Sequence, residues 1–351
     1  MSAALFLSLA LLSSGGGKQV TAPPETPSTA YCTGARRNEV CTAQGQAALR
    51  AELGVASIED ETAAGVEVYR AFYLEGGGGR PAVAFVRRPG HNPMVDVSGT
   101  GGRKMTAEVP AEVWATVREE AADADRAFVP LPQETSGEIC LDGGAVMVEI
   151  GTPALRPRPA SVRRRAVSNC AASPTLRFTT LLANLAVARF PACLAIDPDT
   201  VSDPGVSRLS WCLRLEGDQV AAAEVRNRFR GEPGEGALPA AWRDATGLEA
   251  GTRLTWNGEV FETGAPAVLI ARATAMSGFE LGLSEIRGVS SREVRTTGHA
   301  SSVTDSGSRY AAFTQVWRYD ENGREWRLRE WTFGPFEGRE PGSVGRLPAF
   351  L

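Results

Sequence analysis

Histidines are the scarcest chemistry-bearing residues of this 351-residue sequence, since only His91 and His299 occur. A catalytic triad needs a histidine between a nucleophile and an orienting group, and many metal sites use several histidines. His91 lies in PGHNP at 89–93, a composition that predicts a turn. The count excludes His-rich metal sites and leaves His299 as the histidine that a pocket could use.

Familiar catalytic and nucleotide-binding motifs are absent from the sequence. There is no G-x-x-x-x-G-K-[ST] loop, no G-x-S-x-G, no H-E-x-x-H and no EF-hand ladder. Residues 99–104, GTGGRK, lack the spacing of a phosphate-binding loop and the hydroxyl after lysine, so a turn is predicted there. The sequence therefore predicts no catalytic residue, no metal site and no cofactor.

Composition and charge exclude further classes of protein. The chain carries 37 basic and 41 acidic residues and is 43% hydrophobic. Nucleic-acid binders carry a strong positive excess, and disordered chains lack apolar residues, so both classes are excluded. The clearest apolar run, residues 3–12, is too short to span a membrane as a helix, which needs about 20 residues.

The N-terminal residues are typical of export. The apolar run AALFLSLALL at 3–12 is followed by serines and glycines and by TAPPETPSTA at 21–30. This order predicts a signal peptide over 1–22, a flexible linker over 23–40 and a periplasmic or secreted protein. No lysine or arginine precedes the run, so an N-terminal helix docked on a cytosolic protein stays as the alternative.

Six cysteines without a C-x-x-C pair favour disulfides in an exported protein. A helix is predicted over 174–190, and at 1.5 Å per residue it is about 25 Å long. Cys170 and Cys193 flank its two ends, too far apart to bond to each other. The predicted disulfides are Cys32–Cys41, Cys140–Cys170 and Cys193–Cys212. Six free thiols in a cytosolic protein are the alternative.

The N-terminal half predicts a small antiparallel α+β domain over 41–168. Residues 66–74 and 82–88 are rich in β-branched and aromatic residues and flank four glycines, which predicts a hairpin. A third strand is predicted at 94–97, a helix after Pro110, and further strands within 137–150. Residues 152–165 hold three prolines and a basic run, and we expect an exposed linker there.

A helical connector over 169–232 and a second domain over 233–337 are predicted next, with a surface tail over 338–351. Helices starting at Pro174, near Asp203 and at Gln219 are expected to pack between two sheets. The second domain begins with a short helix at 238–242. A hairpin turning at Asn257-Gly258 follows, then a helix from Ala265. Three long strands come next, and Asn322-Gly323 turns the chain into a last strand.

The closing strands resemble those of the NTF2-like superfamily, which includes SnoaL-like and ketosteroid isomerase domains. The likeness lies in RTTGH at 295–299, GSRYAAFTQVWR at 307–318 and NGREWRL at 322–328. It covers roughly residues 235–336, and residues 41–230 resemble no family that we recognise. The resemblance implies a cone of bent antiparallel sheet with helices that encloses a pocket, and thus an α+β protein overall.

Strand alternation selects the residues that such a pocket would use. Over 308–319, Ala311, Phe313, Gln315 and Trp317 share one face of the strand. If that face is concave, His299 can join Trp256 and Trp317 around a pocket with one titratable group. The ligand-pocket candidates are Trp256, His299, Phe313 and Trp317. The alternative is that the tryptophans are core filling and His299 is an ordinary surface or core residue.

Together these features predict an exported cell-envelope protein that binds or interacts rather than catalyses. Its expected partner is a small apolar ligand in the C-terminal cavity or another envelope protein. The alternative is an isomerase- or dehydratase-like enzyme, which needs a carboxylate base and a neutral donor pair in an apolar cavity. Tyr310 and Asp305 do not form that constellation in the sequence. A third reading is an envelope assembly factor that acts through its surfaces alone.

Overall fold

The computed structural model describes residues 42–74, 80–126, 145–155, 157–168, 174–201, 204–228, 251–304 and 307–337. The predicted signal peptide, the linker, the tail and the short helix at 238–242 lie outside these ranges. So do four of the six cysteines: Cys32, Cys41, Cys140 and Cys170. None of the described helices combines the length and the apolar character needed to cross a membrane.

The first sheet is antiparallel and has six strands in the order β4-β3-β2-β1-β5-β6. Its strands are β1 Glu67–Tyr73, β2 Ala82–Arg87, β3 Met94–Ser98, β4 Lys104–Glu108, β5 Ala145–Thr152 and β6 Ser161–Ser168. Six of the seven residues of the central strand β1 are buried, because helices cover both faces of the sheet. The predicted antiparallel N-terminal unit is therefore present.

Two pairs of helices cover this sheet. They are α1 Ala43–Leu53 and α2 Ile58–Ala63 on one face, and α3 Ala111–Arg126 and α4 Pro174–Val187 on the other. The Thr42 hydroxyl caps α1 by accepting from the Gly45 amide at 3.0 Å, and Gly54 ends it with φ 60°. The Ser57 hydroxyl caps α2 in the same way.

The connector packs between the two sheets, as predicted. It continues with α5 Pro191–Ala195, α6 Val206–Cys212, the short strand β7 Leu215–Gly217 and α7 Gln219–Arg226. Cys193 on α5 and Cys212 on α6 lie at disulfide distance, with sulfurs 2.20 Å apart, which confirms that predicted pair. The helix α4 contacts the first sheet and α7 contacts the second.

The second sheet has seven strands in the order β7-β10-β11-β12-β13-β8-β9. Its other strands are β8 Arg253–Trp256, β9 Glu259–Phe261, β10 Glu280–Ser290, β11 Glu293–Thr304, β12 Gly307–Asp320 and β13 Glu325–Phe333. The helix α8 Ala265–Thr274 follows β9 in the chain. The four long strands β10–β13 pair antiparallel, while β7 and β8 join them in parallel. The protein is therefore an α+β fold with mixed pairing in its second sheet.

The connector joins the second sheet through a close approach of two backbones. The Asp218 amide donates to the Gly288 carbonyl oxygen at 2.9 Å. A methyl group at Gly288 would lie 2.1 Å from the Asp218 carbonyl oxygen, and one at Gly217 would lie 2.1 Å from that of Gly288. Only glycine fits at Gly288, so this contact between β7 and β10 depends on residue type.

Several sequence expectations need correction. Residues 161–165 are not linker but the first part of β6, the edge strand of the first sheet. The helix expected over 174–190 ends at Val187, and α5 starts anew at Pro191. The connector helix predicted near Asp203 ends at Cys212, and Leu215 belongs to the strand β7. The helices α1 and α2 and the strands β4 and β7 were not predicted from the sequence.

Candidate functional site

The buried face of the second sheet is arranged in rows that the strand register defines. One row runs across five strands through Ile286, Thr296, Gln315, Trp331 and Leu254. Gln315 is polar, yet it is only 1% exposed and most of its neighbours on this face are apolar. An uncharged amide enclosed in an apolar layer marks this row as the polar centre of the face.

The Gln315 amide is held in one orientation. Its Oε1 accepts from the Thr296 hydroxyl at 2.6 Å and from the Trp317 indole N–H at 3.1 Å. Because an indole nitrogen can only donate, the Gln315 atom that faces it must be the carbonyl oxygen. The amide nitrogen Nε2 is consequently turned away from both of these neighbours.

Two buried N–H groups in this row have no acceptor among the described residues. They are Gln315 Nε2 and Trp331 Nε1, which we call the donor pair. Gln315 and Trp331 are direct cross-strand partners, a position that places Cβ atoms about 5 Å apart. Each unsatisfied buried donor costs about 1–3 kcal/mol. The protein thus holds two neighbouring donors that an acceptor would stabilise.

Aromatic rings surround the donor pair on one side. The next row across the sheet contains Leu283, Gly298, Phe313, Phe333 and Trp256. The Phe313 ring lies 5.7 Å from both Trp331 and Phe333, and Trp256 lies 4.6 Å from Phe333. Ring centroids at these distances form a continuous aromatic cluster beside the polar row.

Gly298 makes room for this cluster. A methyl group at Gly298 would lie 2.3 Å from Cζ of Phe313 and 2.3 Å from the Gly282 carbonyl oxygen. The Phe313 ring therefore lies directly across β11 at a position where no side chain is present. The glycine in the RTTGH stretch is explained by this contact.

An apolar rim borders the buried face between α8 and β10. It consists of half-buried residues that pack against the core: Val268, Met276, Phe279, Leu281 and Leu283. The Phe279 ring stacks on Trp256 at 6.2 Å and so connects the rim to the aromatic cluster. The rim is the side on which the apolar face meets solvent.

The structure brings three of the four pocket candidates onto one face. Trp256, Phe313 and Trp317 are all at most 2% exposed on the buried face of the sheet. His299 is placed on the opposite face, where it pairs with Ala312 and its ring covers Gly282. The expected grouping of His299 with Trp256 and Trp317 is therefore corrected. The register of β11 against β12 places His299 opposite Ala312, on the outer face of the sheet.

Sequence reasoning passed over the polar centre itself. Strand alternation had already placed Gln315 on the same face as Phe313 and Trp317. A polar residue on a strand face that is otherwise apolar could have indicated this polar centre. Thr296 and Trp331 could not be added without the register, because they lie on neighbouring strands. The site therefore consists of Gln315, Thr296, Trp331 and the aromatic cluster.

The chemistry available around the donor pair is neutral. The rows that contain the donor pair and the aromatic cluster include no acidic or basic residue. Arg309 lies on the same face near the start of β12, where it is exposed and donates to the Phe336 carbonyl oxygen at 2.6 Å. Within the described ranges, no three His, Cys, Asp or Glu side chains gather as a metal site would require. Tyr310 lies on the outer face near His299, at 6.4 Å between rings. The arrangement can bind and orient a neutral molecule.

A second polar cluster lies under α1 and α2 on the first sheet. Arg70, Glu149 and Arg164 are cross-strand neighbours on β1, β5 and β6. Glu149 is fully buried and accepts from Arg50 at 3.1 Å, Arg70 at 3.0 Å and Arg164 at 2.8 Å. Glu61 pairs with Arg70 as well. The basic run at 163–165 is therefore partly an internal ion network.

Ion pairing in this cluster shifts the pKa values of Arg164 and Glu59. Burial alone would lower the pKa of Arg164, but the charges of Glu149 and Glu59 raise it above its usual value. Burial would raise the pKa of Glu59, yet a backbone hydrogen bond and Arg164 together lower it. Three arginines face three glutamates here, so the charges of the cluster are balanced, and removing one buried partner would leave the others uncompensated.

Comparison with known proteins gives a limited likeness. No family model and no curated protein sequence matches the chain. Among solved structures it is similar to an NTF2-like protein of unknown function from Shewanella oneidensis. That match has 14% identity, covers 28% of this chain and 89% of that one, and has a TM-score of 0.23.

A ketosteroid isomerase-like protein from Shewanella frigidimarina is also similar. It has 16% identity, covers 32% of this chain and 94% of that one, and has a TM-score of 0.25. These are structures of the kind that the closing strands resemble in sequence. A likeness of this size says nothing about activity.

Proposed function

We propose that this chain is an exported protein of the cell envelope, periplasmic or secreted, that binds a small and largely apolar ligand. The site is the buried face of the second sheet, entered from the apolar rim. The observation that carries the proposal is the donor pair inside an aromatic face, because small-molecule sites combine apolar walls with few placed polar groups.

Export is supported by two features of the chain. The apolar run at 3–12 before small residues is typical of a signal peptide, and disulfides persist mainly in oxidising compartments. The pair Cys193–Cys212 is buried between α5 and α6 at disulfide distance. Each feature is compatible with the other.

Export is tested by the intact mass of protein isolated from the native envelope fraction, with and without reductant. The expected protein lacks its leader and is lighter than its reduced form by the hydrogens of its disulfides. A cytosolic protein that retains Met1 and has six free thiols would contradict both the localisation and the predicted disulfides.

Binding is tested on the full chain with N-phenyl-1-naphthylamine, a neutral apolar probe that fluoresces when it leaves water. We expect a saturable signal that Leu281→Gln weakens, since Leu281 belongs to the apolar rim. The matched control is Val260→Gln on β9, at a side chain that is 44% exposed and outside the rim. Absence of a saturable signal, or equal weakening by both variants, would contradict the proposal.

A further inference from the structure

We infer that the donor pair, Gln315 Nε2 and Trp331 Nε1, recognises one neutral hydrogen-bond acceptor of the ligand, a carbonyl oxygen. This inference rests on the proposed function and adds the chemical class of the ligand. It assigns recognition to Gln315 and Trp331 rather than to the histidine that the sequence favoured.

Only donors remain available in the central row. The Gln315 carbonyl oxygen is already occupied by Thr296 and Trp317, and an indole nitrogen never accepts. A ligand that offers a donor would find no partner in the pair. A ligand with an acceptor satisfies groups that are otherwise unpaired and buried.

The charge of the surrounding residues also restricts the ligand. A buried anion needs a cationic partner, and the rows that contain the donor pair and the aromatic cluster include none, since Arg309 lies towards the start of β12 and donates to the Phe336 carbonyl oxygen. A carboxylate or phosphate would therefore lose its hydration without compensation. A neutral oxygen avoids that loss, so the class is a ketone, ester or amide rather than an acid.

The part of the ligand that is attached to the oxygen would lie beside the aromatic cluster. Gln315 and Trp331 are direct partners on adjacent strands, so one oxygen between them can meet both N–H groups. The Phe313 ring lies 5.7 Å from Trp331 and continues towards Phe333 and Trp256. A flat, apolar body attached to the carbonyl would stack against these rings.

The test compares two fluorescent probes on the full chain. One is the ketone 6-propionyl-2-(dimethylamino)naphthalene, and the other is N,N-dimethyl-2-naphthylamine, which has the same ring system without the carbonyl. We expect the ketone to bind more tightly. Trp331→Phe removes one donor and keeps a ring, so it should weaken the ketone about 3- to 10-fold and leave the amine unchanged.

Trp256→Phe is the matched control, since it makes the same substitution in the aromatic cluster and leaves the donor pair intact. It should weaken both probes to a similar extent. If Trp331→Phe also weakens both equally, or neither, the inference is overturned while the binding function stands. If neither probe binds the wild-type chain, the proposed function fails and takes the inference with it.

A second readout needs no variant. The infrared carbonyl band of the bound ketone should lie below its frequency in an alkane solvent, because hydrogen bonding weakens the C=O bond. A band at the alkane frequency would show a bound ketone without donors, as when water alone satisfies Gln315 and Trp331, and would overturn the inference.

Discussion

Glu149 is the buried side chain on which the ion network of the first sheet depends. It is fully buried and is the shared acceptor of Arg50, Arg70 and Arg164. Replacing Glu149 by Gln removes the charge and keeps the shape, so three arginines would face fewer carboxylates in a dry layer. We expect the free energy of unfolding to fall by about 3–5 kcal/mol. Denaturant titration measures it.

The control for Glu149→Gln is Glu59→Gln in the same cluster. Glu59 pairs with Arg164 at 2.9 Å, but its side chain is 53% exposed. Loss of an exposed pair should change stability by less than about 1 kcal/mol. Equal losses in the two variants would show that burial does not decide the role of Glu149.

Tyr69 supplies a pH-dependent prediction. Burial raises its pKa above the usual 10.0, and its hydrogen bond to Glu67 raises it further, with Arg118 opposing. A raised folded-state pKa gives stability that is complete below the unfolded value and is lost as pH rises above it. Unfolding free energies of wild type and Tyr69→Phe should differ by about 2 kcal/mol near neutrality.

That difference should shrink as pH rises above 10, because the folded protein resists ionisation of Tyr69 while the unfolded chain does not. The measurement is denaturant titration of both proteins on either side of this pH. A difference that is constant with pH would mean that Tyr69 ionises equally in both states.

Residue positions on one strand were predictable, and positions across strands were not. Alternation on β12 correctly placed Gln315 with Phe313 and Trp317. The face of His299 depends on how β11 pairs with β12, and a shift of one residue reverses every side chain. That register is fixed by long-range packing, which no local pattern in β11 reports.

At the scale of elements, the β7–β10 contact offers a sharp test. Gly288→Ala would drive a methyl group into the Asp218 backbone, where no flexible side chain can yield. We expect a loss of about 2–3 kcal/mol, since overpacking against backbone forces strands apart. Thermal and denaturant unfolding of Gly288→Ala would measure it.

Gly251→Ala is the control, because nothing lies within 4 Å of a methyl group placed there and its φ is not in the left-handed region. That variant should unfold like the wild type. If Gly288→Ala is equally neutral, the docking of β7 on β10 does not need the glycine.

Elements with strong local signals were predicted and weak ones were missed. The Asn257-Gly258 turn adopts positive φ at both residues, as its sequence indicates. The edge strand β6 was read as linker because prolines precede it and arginines fill it, both typical of edges. The strand β7 has three residues and gains its stability from β10, so its own sequence cannot show it.

At the scale of the molecule, one core crosses both sheets. A single cluster of buried residues includes Phe85 of the first sheet, Phe178 and Leu209 of the connector, and Ile286 and Trp331 of the second sheet. We therefore expect one calorimetric transition, in which calorimetric and van't Hoff enthalpies agree. Two separate transitions would show that the predicted domains unfold independently.

The class of fold was predictable at this scale, while the assembly was not. Antiparallel strand patterns in both halves predicted an α+β protein, and the closing strands resembled those of NTF2-like domains. That resemblance covers less than a third of the chain. How the connector joins the sheets depends on contacts such as the Tyr73 hydroxyl donating to the Thr179 carbonyl. Partners 106 residues apart leave no local pattern in the sequence.

The parallel pairing of β7 also orders events on the ribosome. The first sheet is complete once residue 168 has emerged, because its six strands are consecutive in the chain. The connector's β7 and α7 are synthesised next, yet their binding surface on β10 begins only at Glu280. A nascent chain arrested before that residue should protect the first sheet from protease and leave α7 open to cleavage.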